Sequence, residues 1–288
     1  MIHRDLPALA PAVVEDAVRA ALSEDLGSAG DITSAATIPP AATATATFGA
    51  RRAGVLAGLP LAEATFRAID PAIRFEPILH DGDAIAAGAV AARVAGPARG
   101  ILAGERVALN YLCHLSGVAT ATAALVERVR HTRARILDTR KTTPGLRAFE
   151  KYAVACGGGQ NHRLGLYDAI LIKDNHIAVA GGVAPAIHAA RAAAPGVRLE
   201  VEVGSLAELD EAMTAGPDIV MLDNMGLADM GEAVKRVARR ALIEASGNVT
   251  LATVGPIAET GVDFISSGWI THSAPALDLG LDVVVGKD

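Results

Sequence analysis

Apolar residues Val13, Val14, Ala17, Val18, Ala21 and Leu22 recur at helical spacing, while Glu15, Asp16, Arg19 and Glu24 face away. This pattern predicts an amphipathic helix from Pro11 to Leu26. After a turn at Gly27 to Asp31 the texture changes. Ala42 to Phe48, Ile73 to Leu79 and Ala84 to Val94 alternate or carry β-branched residues between Gly and Pro turns, which predicts short antiparallel strands. From Gly104 to Arg130 the pattern is helical again, with a break expected at Ser116-Gly117. A domain boundary is placed near Leu112, giving a first domain over 1–112 and a second over 113–269. No low-complexity linker marks it, so the two parts are expected to pack tightly.

Beyond the boundary, short apolar runs each end on a polar residue and lead into a helix-like stretch. The runs are Arg135 to Leu137, Ala169 to Ile172, Leu199 to Val203, Ile219 to Leu222, Ala241 to Ile243 and Phe264 to Ile265. They deliver Arg140 with Lys141, Lys173, Glu202, Asp223, Ser246 with Gly247, and Gly268. From Lys173 onward the spacings are 29, 21, 23 and 22 residues, each close to one strand-helix unit. Functional residues at the C-terminal ends of successive parallel strands are how a barrel assembles a site on one face. A doubly wound sheet is the competing architecture, but it gathers its site at one switch point behind a glycine-rich first turn. Here every strand contributes, which favours the barrel and an α/β fold.

Charge adds a location to this picture. The chain of 288 residues has 26 basic and 32 acidic side chains and a net charge of -6, which argues against a general nucleic-acid-binding surface. Between Arg133 and Lys173 the balance reverses, with eight basic residues against three acidic ones. Such a concentration suits small polyanionic substrates. No signal-like leader and no uninterrupted apolar run of about 18 residues is evident, so a cytoplasmic protein without a membrane partner is expected. The two cysteines, Cys113 and Cys156, are read as buried thiols in a reducing compartment.

Candidate chemistry follows from residue type and position. Arg140 offers a planar fork for a carboxylate, and Lys141 a compact charge for phosphate. Adjacent basic residues are usually a solvated surface pair, but this pair stands at a strand exit. His162 and Arg163 follow Gly157-Gly158-Gly159-Gln160-Asn161, where exposed backbone N–H groups and close ligand approach are expected rather than a flexible turn. Neither a Walker loop nor a dinucleotide fingerprint is present. Lys173, at the rim of a nonpolar barrel, is a structural ion-pair partner, a Schiff-base nucleophile or an anion clamp. Glu200 and Glu202 alternate with Leu199, Val201 and Val203, so a strand puts both on one side. Together with Asp223 they suit either a metal or ribose hydroxyls, with no direct metal ligand assigned. Ser246-Gly247 and Ser266-Ser267-Gly268 end the last two units, where barrel phosphate sites tend to lie. A glycine-flanked nucleophile elbow is not evident, which disfavours hydrolysis.

The motifs Asp138-Thr139-Arg140-Lys141-Thr142-Thr143-Pro144-Gly145, Asn161-His162-Arg163 and Lys173-Asp174-Asn175-His176 closely resemble those of quinolinate phosphoribosyltransferases. The likeness extends over essentially the whole chain, through Glu24-Asp25, Gly30-Asp31-Ile32-Thr33, Gly104-Glu105-Arg106, Leu109-Asn110, Ser116 to Thr120 and Gly268 to Asp282. It implies an incomplete, seven-stranded α/β barrel, an N-terminal α/β sandwich-like domain and a tail over 270–288 that returns to that domain. It further implies a homodimer in which Arg106 reaches the neighbouring subunit's site.

By the same resemblance, Arg106, Arg140, His162, Arg163 and Lys173 take quinolinate. Lys141, Glu202, Asp223, Ser246, Gly247, Gly268 and His272 take phosphoribosyl pyrophosphate, with Mg²⁺ held mainly by the substrate near Glu202 and Asp223. Lys141, Lys173, Glu202 and Asp223 become the catalytic set. The implied enzyme is a pentosyltransferase that makes nicotinate mononucleotide, pyrophosphate and CO₂ in NAD biosynthesis. Three alternatives stay open: a related ModD-like pyrophosphorylase with another substrate, a Schiff-base aldolase using Lys173, and a metabolite-binding protein without catalysis.

Overall fold

Alternating threonine and alanine build the first sheet of the computed structural model, which describes residues 6–284. The helices α1 (Pro11–Leu26) and α2 (Ile32–Thr37) lead into strand β1 (Thr43–Ala50). In β1, Ala44, Ala46, Phe48 and Ala50 are buried while Thr43 and Thr45 are exposed, as a period of two requires. Then follow β2 (Gly54–Val55), α3 (Leu59–Ile69), β3 (Arg74–Pro77), β4 (Ala84–Ile85) and β5 (Val90–Pro97). The expected strand over Ala84 to Val94 is therefore two strands, parted by a turn in which Gly88 adopts φ +83°.

Helix α4 (Ala98–Val129) runs straight through Ser116-Gly117, where a break was expected. Ser116 instead offers its hydroxyl to Ala57 N–H at 3.0 Å, and Gly117 lets Pro275 O approach to within 2.3 Å of where a Cβ would stand. These residues are small for packing, not for breaking the helix. The helix is long and apolar enough to cross a membrane, yet Ile101, Leu112, Leu115 and Leu125 on it are fully buried. That burial is the mark of a core helix.

The remaining elements are β6 (Arg135–Leu137), α5 (Arg147–Cys156), β7 (Ile170–Ile172), α6 (Asp174–Ala180), α7 (Val183–Ala193), β8 (Leu199–Val203), α8 (Leu206–Ala215), β9 (Ile219–Asp223), α9 (Leu227–Val237), β10 (Leu242–Ser246), α10 (Val254–Glu259), β11 (Phe264–Ser266), α11 (Trp269–His272) and β12 (Leu279–Val284). Two compact units divide the chain. One holds the residues up to Ala121, Ala148–Gly158 and the stretch from Ala274. Its antiparallel sheet has the order β12-β1-β5-β3, so the last strand pairs with the first; residues 285–288 of the anticipated tail lie outside the described residues. Phe48, Phe66 and Phe75 centre its core, with ring centroids 5.9–6.1 Å apart. Cys156 is buried here, but Cys113 is only half-buried, packed against the core with its thiol near Leu279 O.

The other unit, Thr122–Arg147 and Gly159–Ser273, carries the six parallel strands in the order β6-β11-β10-β9-β8-β7. All six apolar runs of the sequence became these strands. In place of a seventh stands one parallel bridge between Leu137 and Gln160, with Gln160 N–H donating to Ile136 O at 2.8 Å. The barrel is thus incomplete. Asn161 and His162, which would prolong that strand, are held instead by the Asp138 carboxylate.

Candidate active site

Asp138 leaves β6 fully buried and organises the segment opposite it. Its Oδ2 accepts from Asn161 Nδ2 at 2.6 Å and its Oδ1 from His162 N–H at 2.9 Å. A buried carboxylate with these partners fixes the position of His162 and, with it, Arg163. The glycine run before them has another task than the one expected. Gly157 N–H donates to Ala153 O at 3.0 Å and Gly158 N–H to Ala155 O at 2.9 Å, so both close the C-terminus of α5. Gly158 takes φ +86°, the left-handed value such a terminus favours.

Arg140 and Arg163 form the first half of the site. Arg163 is 7% exposed, and its Nη1 donates to Ala169 O at 3.2 Å. The Nε of Arg163 and the Nε of Arg140 are both buried without a hydrogen-bond partner among the described residues. Burial, then the charge of Arg140, lower the pKa of Arg163, against the opposing pull of Glu200 and Asp168. Two neighbouring guanidinium groups with unused donors are costly by themselves and suit an anion with several acceptors. Arg147 secures this segment by donating to Thr142 Oγ1 at 3.1 Å and Leu164 O at 3.2 Å.

Lys141, next in sequence to Arg140, belongs to the second half. A cavity of about 640 Å³ is lined by Lys141, Ser246, Gly247, Gly268 and His272, together with Thr139, Asn248 and Trp269. Residues from the ends of β6, β10 and β11, with His272 from α11, therefore meet around one space. A Cβ on Gly268 would stand 2.9 Å from Lys141 Cδ and 3.2 Å from the His272 ring, so a side chain there would push the lysine aside. Gly247 has φ +101°, and its Cβ would collide with the Asn224 amide at 2.1 Å. Thr271 Oγ1 donates to Lys141 O at 2.8 Å and ties the two ends of the cavity together.

Lys173 and Glu202 make an ion pair at the ends of the neighbouring strands β7 and β8. The Lys173 side chain is 44% exposed, as a residue at the rim would be. Its backbone N–H donates to His176 Nδ1 at 2.9 Å, which sets the turn into α6. On β9, the strand beside β8, Asp223 accepts from Asn224 Nδ2 at 3.0 Å. Arg106 is exposed on α4, in the first unit.

Sequence reasoning did not single out Asn224, which supports both Asp223 and Asn248, nor Glu244. Glu244 sits in the middle of the apolar run Leu242-Ile243-Glu244-Ala245, and that charge within a strand was the available signal. It lies near His162, whose Nε2 is 2.9 Å from Glu200 Oε2 and 3.6 Å from Glu244 Oε2.

Comparison with known proteins agrees with this geometry. Residues 31–116 match the quinolinate phosphoribosyl transferase N-terminal domain, and residues 118–282 match the C-terminal domain. The nicotinate-nucleotide pyrophosphorylase [carboxylating] of Mycobacterium leprae is 45% identical over 93% of this chain and 96% of its own length. A quinolinate phosphoribosyltransferase [decarboxylating] of Nicotiana tabacum is 42% identical over 92% of this chain and 81% of its own length. The crystal structure of NadC from Streptococcus pyogenes superposes with a TM-score of 0.93 at 44% identity, covering 98% of this chain and all 100% of that one. The nicotinate-nucleotide pyrophosphorylase of Francisella tularensis gives a TM-score of 0.92 at 39% identity, covering 97% and 99%. With both domains matched in order along one chain and the strand-end residues gathered as described, this chain belongs to the quinolinate phosphoribosyltransferase family.

Proposed function

We propose that this chain transfers the phosphoribosyl group of phosphoribosyl pyrophosphate to quinolinate, with decarboxylation, giving nicotinate mononucleotide, pyrophosphate and CO₂ in NAD biosynthesis. One observation carries the reading: Arg140 and Arg163 have unused buried donors, and Lys141, next in sequence to Arg140, lines a glycine-edged cavity. Arg140, Arg163 and His162, with Lys173 at the rim, take the two carboxylates. Lys141, Ser246, Gly247, Gly268 and His272 take the phosphate groups of the second substrate.

The pyridine nitrogen supplies the electron pair that forms the bond to the anomeric carbon, and the bond from that carbon to the pyrophosphate oxygen breaks. Positive charge grows on the ribose as this happens. Glu202 and Asp223 are placed to orient the sugar and favour that charge. Ribosylation leaves the nitrogen cationic, so the bond to the adjacent carboxylate breaks as CO₂ departs. Its electron pair remains on a ring carbon, where the cationic nitrogen stabilises it until a proton arrives. The Lys173–Glu202 pair fits an anion clamp, since a lysine held in an ion pair is a poor Schiff-base nucleophile.

Mg²⁺ is the implied cofactor, and the residues suit it: Glu202 and Asp223 are hard oxygen donors on adjacent strands, each oriented by a neighbour and neither fully buried. Held there with the diphosphate, such an ion would supply charge neutralisation for the leaving group. The protein acts as a cytoplasmic homodimer, in which the partner subunit's Arg106 completes the dicarboxylate pocket, without nucleic-acid or membrane partners. Incubating the purified chain with quinolinate, phosphoribosyl pyrophosphate and Mg²⁺ tests the reading. Nicotinate mononucleotide, pyrophosphate and CO₂ are expected in equal amounts, and binding of quinolinate without product would overturn it.

A further inference from the structure

Inside the barrel, away from the strand ends just described, two glutamates face one another with nothing in the proposed reaction to employ them. Glu200 on β8 has a side chain 5% exposed, and Glu244 on β10 one 1% exposed. Glu200 Oε1 and both carboxyl oxygens of Glu244 make no hydrogen bond among the described residues. They and the His162 ring present ligand atoms that all lie within 4.8 Å of one another. Two ionised carboxylates in such a place would leave several acceptors facing each other with no proton between them, which is costly in a low dielectric.

A metal ion and a proton are the two ways to relieve this, and His162 decides between them. Its Nδ1 accepts the backbone N–H of Arg163 at 2.7 Å, so the ring N–H resides on Nε2. That Nε2–H points to Glu200 Oε2 at 2.9 Å. A metal on Nε2 would demand that the ring lose this proton or that Nδ1 take it against the Arg163 N–H. The geometry therefore disfavours a cation and favours a shared proton.

We infer that Glu244 is held as a neutral carboxylic acid that donates to Glu200, and that Glu200 in turn receives the His162 Nε2–H, so the pair are positioning residues for the dicarboxylate pocket. This rests on the assignment of His162 and Arg163 to quinolinate. The groups facing Glu244 are Glu200 and Asp138, both acidic, the Ser266 hydroxyl and His162. Burial first, and then the charge of Glu200, raise the Glu244 pKa well above the usual carboxylate range; the Ser266 hydroxyl acts the other way and Asp138 adds to the rise. With the proton on Glu244, the chain Glu244–Glu200–His162–Arg163 N–H has every donor matched to an acceptor. The net charge of the two glutamates is then minus one, which also balances Arg163 nearby. One proton thus fixes the tautomer of His162 and the position of the arginine that follows it.

The test is infrared difference spectroscopy on protein carrying ¹³C-carboxyl glutamate, at neutral pH and without substrate. A protonated-carboxyl C=O band that moves in D₂O and is lost in Glu244→Gln is expected. Nitrogen NMR of His162 should give a pyridine-like Nδ1, and Glu200→Gln should mix the tautomers. In turnover, Glu244→Leu should raise the quinolinate KM about tenfold while changing kcat and the phosphoribosyl pyrophosphate KM little, and Glu244→Gln, which keeps a donor, should recover most of that loss. The inference is overturned by absence of the band in unsubstituted protein, by its survival in Glu244→Gln, or by stoichiometric Zn²⁺ retention that Glu244→Gln abolishes. Spectroscopy needs no substrate, so a chain that shows the band yet makes no nicotinate mononucleotide overturns only the proposed reaction.

Discussion

Replacing Arg163 by Met should make the protein more stable and a worse binder at once. The side chain is almost wholly buried, and the fold recovers only part of what its charge costs. It gains a 3.2 Å bond to Ala169 O and the attraction of Glu200 and Asp168, while its Nε is unpaired and Arg140 repels it. Removing the bond costs about 0.5–1.5 kcal/mol. Holding its charge away from water costs several kcal/mol, which Glu200 and Asp168 return only in part because Arg140 repels it, so an apolar side chain of similar volume recovers about 2 kcal/mol. The balance favours Met by about 1 kcal/mol, which for a chain of this size raises the melting temperature by about 2–4 °C.

For quinolinate the sign is opposite. Loss of one charge-assisted contact costs about 1.5–3 kcal/mol, a weakening of about 10- to 150-fold. Differential scanning calorimetry without ligand, paired with titration calorimetry of quinolinate, reads both quantities. A fall in melting temperature alongside weaker binding would mean that Arg163 holds the fold together, and the argument from unused donors would fail. Gained stability with unchanged affinity would place the carboxylates elsewhere.

Gly268→Ala, with a backbone φ of -73° that alanine adopts freely, should leave stability within about 1 kcal/mol yet raise the phosphoribosyl pyrophosphate KM, because the new Cβ meets Lys141 Cδ at 2.9 Å. Unchanged kinetics would show that Lys141 needs no fixed position. Arg140→Ala should weaken quinolinate more than phosphoribosyl pyrophosphate, and Lys141→Ala the reverse; equal losses in initial-rate measurements would refute the division of the site. Mixing inactive Arg106→Ala and Lys173→Ala dimers under subunit exchange should restore part of the activity, whereas none would return if each subunit were self-sufficient. Because Glu244 is raised above its unfolded value, the folded state binds more protons between the two pKa values. Stability should therefore fall as pH rises through the folded value, and denaturant titrations of Glu244→Gln should show a flatter fall.

The strands of the parallel sheet were legible because each is a short apolar run stopped by a polar residue, and burial on both faces leaves little room for another pattern. The strand-end residues were legible for the same reason, since Lys173, Glu202, Asp223 and Ser246 each interrupt a run. What failed were inferences from small residues. Ser116-Gly117 reads as a break, but smallness also serves close packing, and only Pro275, distant in sequence, reveals which applies. Gly157 to Gly159 read as a ligand loop, while two of their N–H groups were already committed to the end of α5. Gly268 was chosen for its backbone, yet its lack of a side chain matters at least as much, because Lys141 and His272 occupy that space. Sequence spacing cannot express a requirement set by an atom more than a hundred residues away.

The two halves of the site differ in how their costs are met. The cavity around Lys141 and His272 is open at its lysine and histidine, so solvent satisfies those groups in the absence of substrate. Arg163 and Glu244 have no such recourse, and each is nearly excluded from water. Were the barrel interior apolar, Arg163 would keep only the pull of Asp168, and the pocket would reorganise whenever a dicarboxylate left. With one proton held between them, Glu244 and Glu200 keep one fixed negative charge beside His162, enough to retain the arginine and too little to occupy its donors. Two ionised glutamates would draw the guanidinium inward and compete with the substrate. Neutralising one of them leaves Arg163 facing the carboxylate it is proposed to bind.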